Sequence, residues 1–113
     1  AIKKQSEKLL HVSNLYHIEP QSQLAEKITS LSFADKVFFC NSGTEANEAA
    51  IKLARRYFFD QGQPERTEII TMLNSFHGRT LGSLSATAQK KLHNGFKPLL
   101  SGFKYIPFQQ AEK

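Results

Sequence analysis

The sequence predicts an α/β fold: a mostly parallel sheet with flanking helices. Two short apolar runs, Val37–Cys40 and Glu68–Leu73, are rich in strand-forming residues and lack polar alternation, which is typical of strands buried on both faces. A strongly helical segment lies between them, and this crossover is long enough to join two parallel strands. The 113 residues, 40% of them apolar, suffice for a modest core.

Two helices are predicted before the first strand. An amphipathic helix is expected from Ala1 to about Leu10, and Glu19–Pro20 then marks a boundary, because the residue before proline avoids helical geometry. A second helix follows over Pro20–Ser30, with apolar residues three and four positions apart. Residues 1–33 are therefore expected to form a helical lead-in to the sheet.

The third helix is the clearest in the chain. It begins at Ser42–Glu45, directly after the first predicted strand, and should end near Gln61–Pro64, where glycine and proline favour termination. Beyond the second strand, Leu81–Gln89 is a stretch of small residues for which helix is predicted, and Lys104–Phe108 indicates a third strand. The predicted buried stripe of the third helix comprises Ala46, Ala50, Leu53, Ala54 and Tyr57.

Composition narrows the function classes. The longest apolar runs are far shorter than the roughly 20 residues that cross a bilayer. The single cysteine, Cys40, lies in an apolar run, which favours a buried thiol and a reducing, cytoplasmic compartment. The 15 basic and 10 acidic residues give a net charge of +5, but they are scattered, so a nucleic-acid-binding module is only a weak alternative. No metal-ligand spacing is present.

The segment Asn41–Glu45 is a candidate anion site. It lies between the first predicted strand and the third predicted helix. A helix start presents unpaired N–H groups and the positive end of the helix dipole. Gly43 offers close approach, while the hydroxyls of Ser42 and Thr44 can add hydrogen bonds. Ser42 and Glu45 also match a capping box, so a structural cap and a phosphate site both remain open at this point.

The segment Phe76–Arg79 leaves the second predicted strand. If the two strands are parallel neighbours, it shares one side of the sheet with Asn41–Glu45. Phe76 could stack on a flat heterocycle, and Arg79 could hold a carboxylate through two parallel hydrogen bonds. The alternatives are a core phenylalanine and a surface charge, and His77 is as well explained by a structural hydrogen bond as by proton transfer.

Taken together, residues 41–55 and 75–80 resemble the class III pyridoxal-phosphate aminotransferases, and within them the acetylornithine and ornithine branch. His11–Tyr16 and Gly102–Phe108 are also similar to that family. The resemblance implies part of the large domain of the aspartate aminotransferase-like fold, with pyridoxal 5'-phosphate as cofactor. It assigns cofactor binding to Gly43 and Thr44 with Ser42 and Glu45 beside them, ring stacking to Phe76 and substrate carboxylate binding to Arg79.

The resemblance also implies what this stretch lacks. The Schiff-base lysine and the aspartate that pairs with the pyridine nitrogen are expected beyond Lys113, so the chain is expected to be an inactive fragment of a homodimeric enzyme. That enzyme would transfer the amino group of N-acetylornithine or ornithine to 2-oxoglutarate in arginine biosynthesis. His17 stands where related enzymes carry an aromatic residue, which puts a substrate role there in doubt. Another class III ω-amine donor, such as 4-aminobutyrate, remains the alternative.

Overall fold

The computed structural model describes residues 1–13 and 15–109. The chain forms two compact units, Ala1–Phe38 and Phe39–Lys113. Asn14, within the family-like segment His11–Tyr16, and residues 110–113 lie outside the described residues. No helix among the described residues combines the length and the apolar character needed to span a membrane.

The first unit contains two helices, α1 (Ile2–Ser6) and α2 (Glu19–Ser30). The prediction of α2 is confirmed, and its proline lies in the first turn, where the missing N–H has no helical partner to lose. Helix α1 is shorter than predicted, since it ends at Ser6 rather than near Leu10. It has neither a side-chain N-cap nor an acidic residue in its first turn, so little stabilises so short a helix.

The longest helix, α3 (Gly43–Asp60), confirms the predicted element, and Gln61 is its C-cap. Its orientation, however, is the reverse of the prediction. In the expected buried stripe Leu53 is 71% exposed and Tyr57 is 57% exposed. The face that packs combines polar and apolar side chains: Thr44, Asn47, Glu48, Ile51, Arg55 and Phe58.

Two parallel strands form the sheet, β1 (Ile69–Met72) and β2 (Phe103–Ile106). The register pairs Ile69 with Phe103 and Met72 with Ile106. The parallel sheet and the third predicted strand are therefore confirmed. The connection between the strands holds helix α4 (Leu81–Ala86) and a short 3-10 turn, so Leu81–Gln89 is helical in its first two thirds.

The predicted strand Val37–Cys40 is not formed, so its predicted parallel pairing with Glu68–Leu73 is wrong. A strand requires a neighbouring backbone to bond with, and β1 pairs with β2 instead. An apolar run shows that a segment suits burial, but it does not specify a partner. Because this segment is not part of the sheet, the thiol of Cys40 is exposed rather than buried.

The most deeply buried segment is 83–88, at the centre of the second unit. Its hydroxyl residues Ser83, Ser85 and Thr87 are each 0% exposed. The Ser85 hydroxyl donates to Leu81 O at 2.7 Å and accepts from Leu100 N at 2.8 Å. These bonds meet the requirement that buried polar groups be paired. The core of this unit is thus built largely from small polar side chains.

Neighbouring elements attach to the same segment through side chains. Thr71 Oγ1 donates to Ala86 O at 2.8 Å, which joins β1 to α4. Tyr105 OH donates to Ser85 O at 2.6 Å from β2, and burial raises the pKa of the Tyr105 hydroxyl above its ordinary value. The sheet and α4 are therefore held together by hydrogen bonds as well as by apolar contact.

Candidate functional site

The start of α3 carries a variant of the capping box, in which the Glu45 carboxylate accepts from the residue before the N-cap, Asn41, rather than from Ser42 N. Ser42 Oγ accepts from Glu45 N at 3.2 Å, and Glu45 Oε2 accepts in return from Asn41 N at 2.6 Å. Both side chains are thus used to stabilise the helix start. The Ser42 hydroxyl hydrogen is not consumed by this bond, because Ser42 Oγ acts there as the acceptor.

The cap leaves the first two amides of α3 without a helical acceptor. The first four N–H groups of any helix lack partners within it, and Ser42 Oγ satisfies that of Glu45. The N–H groups of Gly43 and Thr44 therefore remain for a ligand at the positive end of the helix dipole.

Gly43 has no structural reason to be glycine. Its φ lies outside the left-handed region, and, apart from its chain neighbours and the backbone of its own helix, no heavy atom of the described residues lies within 4 Å of the position a Cβ would take. Alanine would fit there and would favour the helix. The residue therefore leaves open space directly in front of the free amides, as close approach of a phosphate requires.

Phe76–Arg79 lies against the start of α3. Asn47 Nδ2 donates to His77 O at 2.8 Å. Gly78 is buried with φ +134°, and a Cβ on it would lie 2.9 Å from Thr44 Cβ and overlap Thr44 Oγ1. The two segments are thus brought together through α3, although the strand pairing expected to align them is not formed.

Phe76 and Arg79 are adjacent and accessible. The phenyl ring is 58% exposed, and the Arg79 guanidinium carbon lies 5.7 Å from the ring centroid, within cation–π range. An aromatic face and a positive charge therefore lie together on the segment whose Gly78 packs against Thr44.

His77 contributes mainly through its backbone. Its N–H donates to Thr87 Oγ1 at 2.8 Å, and its carbonyl accepts from Asn47. The imidazole Nδ1 lies 3.4 Å from Ser75 Oγ. These contacts favour the structural interpretation over proton transfer. In the described part of the chain, no three metal-binding side chains cluster.

Sequence reasoning missed the side chains that hold the two segments together. Asn47 and Glu48 were counted only as part of a helix, and Gly78 only as part of a loop. With Thr44, Asn47 and Glu48 place polar groups at spacings of three and four on one helical face. A polar helix face ordinarily indicates solvent contact, so this pattern does not identify tertiary hydrogen bonds.

The whole chain, including these residues, matches a known protein family. The model for aminotransferase class III matches residues 1–113, the whole chain. The chain belongs to the class III aminotransferase family. Within it, the chain is 57% identical over 112 residues to the acetylornithine aminotransferase of Oceanobacillus iheyensis and 59% identical over 112 residues to that of Caldanaerobacter subterraneus. Each alignment covers 99% of this chain but only 28% of the relative.

Solved structures of a transaminase and an aminotransferase share the fold. An (S)-enantioselective omega-transaminase from Thermomicrobium roseum matches with a TM-score of 0.84 and 34% identity, over 93% of this chain and 24% of that one. The ornithine aminotransferase of Toxoplasma gondii, described with partial occupancy of PLP at its active site, matches with a TM-score of 0.84 and 25% identity, over 95% and 26%. The α/β prediction is thereby confirmed at the level of the family fold.

Proposed function

We propose that this chain supplies the phosphate site, the ring stack and a carboxylate clamp of a pyridoxal-phosphate aminotransferase. The complete protein transfers the amino group of N-acetylornithine, or of ornithine, to 2-oxoglutarate in arginine biosynthesis. Both curated relatives named above are acetylornithine aminotransferases, which supports this donor.

Gly43 is the observation that carries the proposal. The residue is neither strained nor crowded, and it stands in front of two free amides at a helix start. A dianionic phosphate gains from both the N–H groups and the dipole. The Ser42 hydroxyl can donate a further bond while its oxygen still caps the helix. Glu45 serves the same site indirectly, because its carboxylate holds Asn41 in the turn.

The second part of the site binds the ring and the substrate. Phe76 offers an exposed aromatic face for the flat pyridine ring. Arg79 is a permanent cation with a planar fork of donors, suited to a carboxylate. Bound pyridoxal phosphate supplies an electron sink for the carbon that carries the amino group. The described side chains bind and orient these partners, and none of them carries the proton transfers.

The remaining groups are assigned to the part of the enzyme that this chain does not span. They are the lysine that holds the cofactor aldehyde and the aspartate that pairs with the pyridine nitrogen. Within this proposal residues 1–113 form part of the large, cofactor-binding domain, with residues 1–33 as its helical lead-in. The enzyme is a cytoplasmic homodimer.

A second class of amino donor, the ω-amines used by omega-transaminases, is supported by one observation. The omega-transaminase fold matches this chain as well as the ornithine aminotransferase does, and at higher identity. None of the described site residues distinguishes the two, because phosphate, ring and α-carboxylate are handled alike.

Two measurements test the proposal. The purified chain is titrated with pyridoxal phosphate and, as a matched control, with pyridoxal; loss of two charge-assisted hydrogen bonds should weaken the control by about 100-fold or more. Equal affinities would remove the phosphate site. The protein as its gene encodes it is then profiled with N-acetylornithine, ornithine and 4-aminobutyrate as donors to 2-oxoglutarate. A preference for 4-aminobutyrate would replace the proposed donor, and no transfer from any of them would end the proposal.

A further inference from the structure

The carboxylate of Glu48 reaches from α3 to the start of α4. Glu48 Oε1 accepts from Ser83 N at 3.0 Å and from Thr80 Oγ1. A Cβ on Gly82 would lie 2.6 Å from Glu48 Oε1. There is no room for a larger residue between the carboxylate and the helix start, so the contact is close as well as hydrogen-bonded.

Asn47, the preceding residue, makes the complementary contact. Its side-chain amide donates to His77 O, whereas Glu48 holds Thr80. Consecutive residues of α3 therefore hold Phe76–Arg79 at His77 and at Thr80, the residue that follows it. Both residues are half-buried, which limits competition from water for these bonds.

We infer that Asn47 and Glu48 are positioning residues that set Phe76 and Arg79 relative to the phosphate amides. This inference rests on the proposed function. The amides of Gly43 and Thr44 stand one turn earlier on the same rigid helix. The hydrogen bonds of Asn47 and Glu48, together with the packing of Thr44 on Gly78, thus link the phosphate amides to the segment that carries the ring and the cation.

A positioning role differs from a merely structural one in what it changes. A small displacement of Arg79 weakens its hydrogen bonds to the carboxylate of the amino-acid substrate, while the amides of Gly43 and Thr44 stay in place. The Michaelis constant for the amino donor should therefore respond more than the dissociation constant for pyridoxal phosphate. A purely structural role would lower the stability of the protein. The Michaelis constant for the donor and the dissociation constant for pyridoxal phosphate would then keep their wild-type values in the folded fraction.

The test uses the full protein with E48A, E48Q and N47D, and with K52A as control on the exposed face of α3. In E48A the Ser83 amide and the Thr80 hydroxyl lose their acceptor, and in N47D the donor to His77 O is replaced by an acceptor. Both should lower kcat/KM for the donor by about tenfold or more, since small displacements of a clamp are costly. E48Q should stay close to wild type, because both bonds end on the one oxygen that glutamine keeps.

The readouts are kcat and KM for the donor, cofactor affinity by titration, and the visible circular dichroism of the bound cofactor. The inference predicts a raised KM, a reduced dichroism signal and nearly unchanged cofactor affinity for E48A and N47D. E48A and N47D matching K52A in all three would overturn it, as would E48Q behaving like E48A. If E48A does not fold, N47D carries the same comparison. A wild-type protein that binds no pyridoxal phosphate would overturn the proposed function itself, before any variant is compared.

Discussion

The side chain of Thr44 occupies the space in which any Cβ on residue 78 would lie. The two Cβ positions would be 2.9 Å apart, and Thr44 Oγ1 would overlap outright. Gly78 is therefore fixed by a neighbour that belongs to the start of α3, and this contact joins the phosphate segment to the segment that carries Phe76 and Arg79.

Gly78→Ala should destabilise the second unit by about 3 kcal/mol, because a positive φ and an overpacked contact each cost about 1–3 kcal/mol. Gly95→Ala is the matched control, since Gly95 has φ +81° but nothing within 4 Å of its Cβ position. Denaturant unfolding of both variants measures the difference. Equal losses would show that backbone strain alone matters and that the contact with Thr44 does not.

Gly43→Ala should separate folding from binding. The variant should be as stable as the wild type or slightly more stable, because alanine is the better helix former, yet its affinity for pyridoxal phosphate should fall by about tenfold or more as the methyl group meets the phosphate. Gly62→Ala provides the opposite pattern, because Gly62 has φ +72° and lies at the other end of α3. Unchanged cofactor affinity in the Gly43 variant would contradict the site.

Ser42→Asp distinguishes the cap from the phosphate site at a single position. Aspartate caps a helix as well as serine does, so the free energy of unfolding should change little, whereas Ser42→Ala should lose about 1 kcal/mol. Near a phosphate the added negative charge is repulsive, so the Asp variant should lose cofactor affinity while the Ala variant retains most of it. Parallel titration and unfolding of the two variants check this. Cofactor affinity retained by the Asp variant would count against the site.

Tyr105→Phe should reveal a pH-dependent contribution to stability. At neutral pH the variant loses the bond from Tyr105 OH to Ser85 O, worth about 1 kcal/mol. Burial raises the pKa of Tyr105 above its ordinary value of 10.0, so the folded protein holds this proton more tightly than the unfolded chain. The contribution is present below the ordinary value and is lost as pH rises through the raised one. The stability difference between wild type and variant should therefore narrow in alkaline solution; a constant difference would contradict it.

Helices α2 and α3 were predictable because capping, proline placement and length act locally. The sequence did not predict the pairing partner of Val37–Cys40 or the buried face of α3. Both depend on which other elements of the fold lie next to these segments. The apolar stripe with Leu53 and Tyr57 is solvent-exposed here, while hydrogen bonds to Phe76–Arg79 and α4 select the polar face.

The binding roles of Gly43, Thr44, Phe76 and Arg79 stay predictions. The segments that carry them are nevertheless in contact, because Gly78 packs against Thr44 although the expected strand alignment is absent. Asn47 and Glu48 add side-chain hydrogen bonds across 30 and 35 residues of sequence. Periodicity cannot locate partners so distant in sequence.

The buried hydroxyl groups of segment 83–88 also bear on how the protein responds to temperature. Exposing apolar surface raises the heat capacity on unfolding, whereas exposing polar surface lowers it. An interior built from serine, threonine and their carbonyl partners should therefore unfold with a small heat-capacity increment for its size. The stability curve of the second unit should then be less sharply curved than that of a domain of the same size with an apolar core.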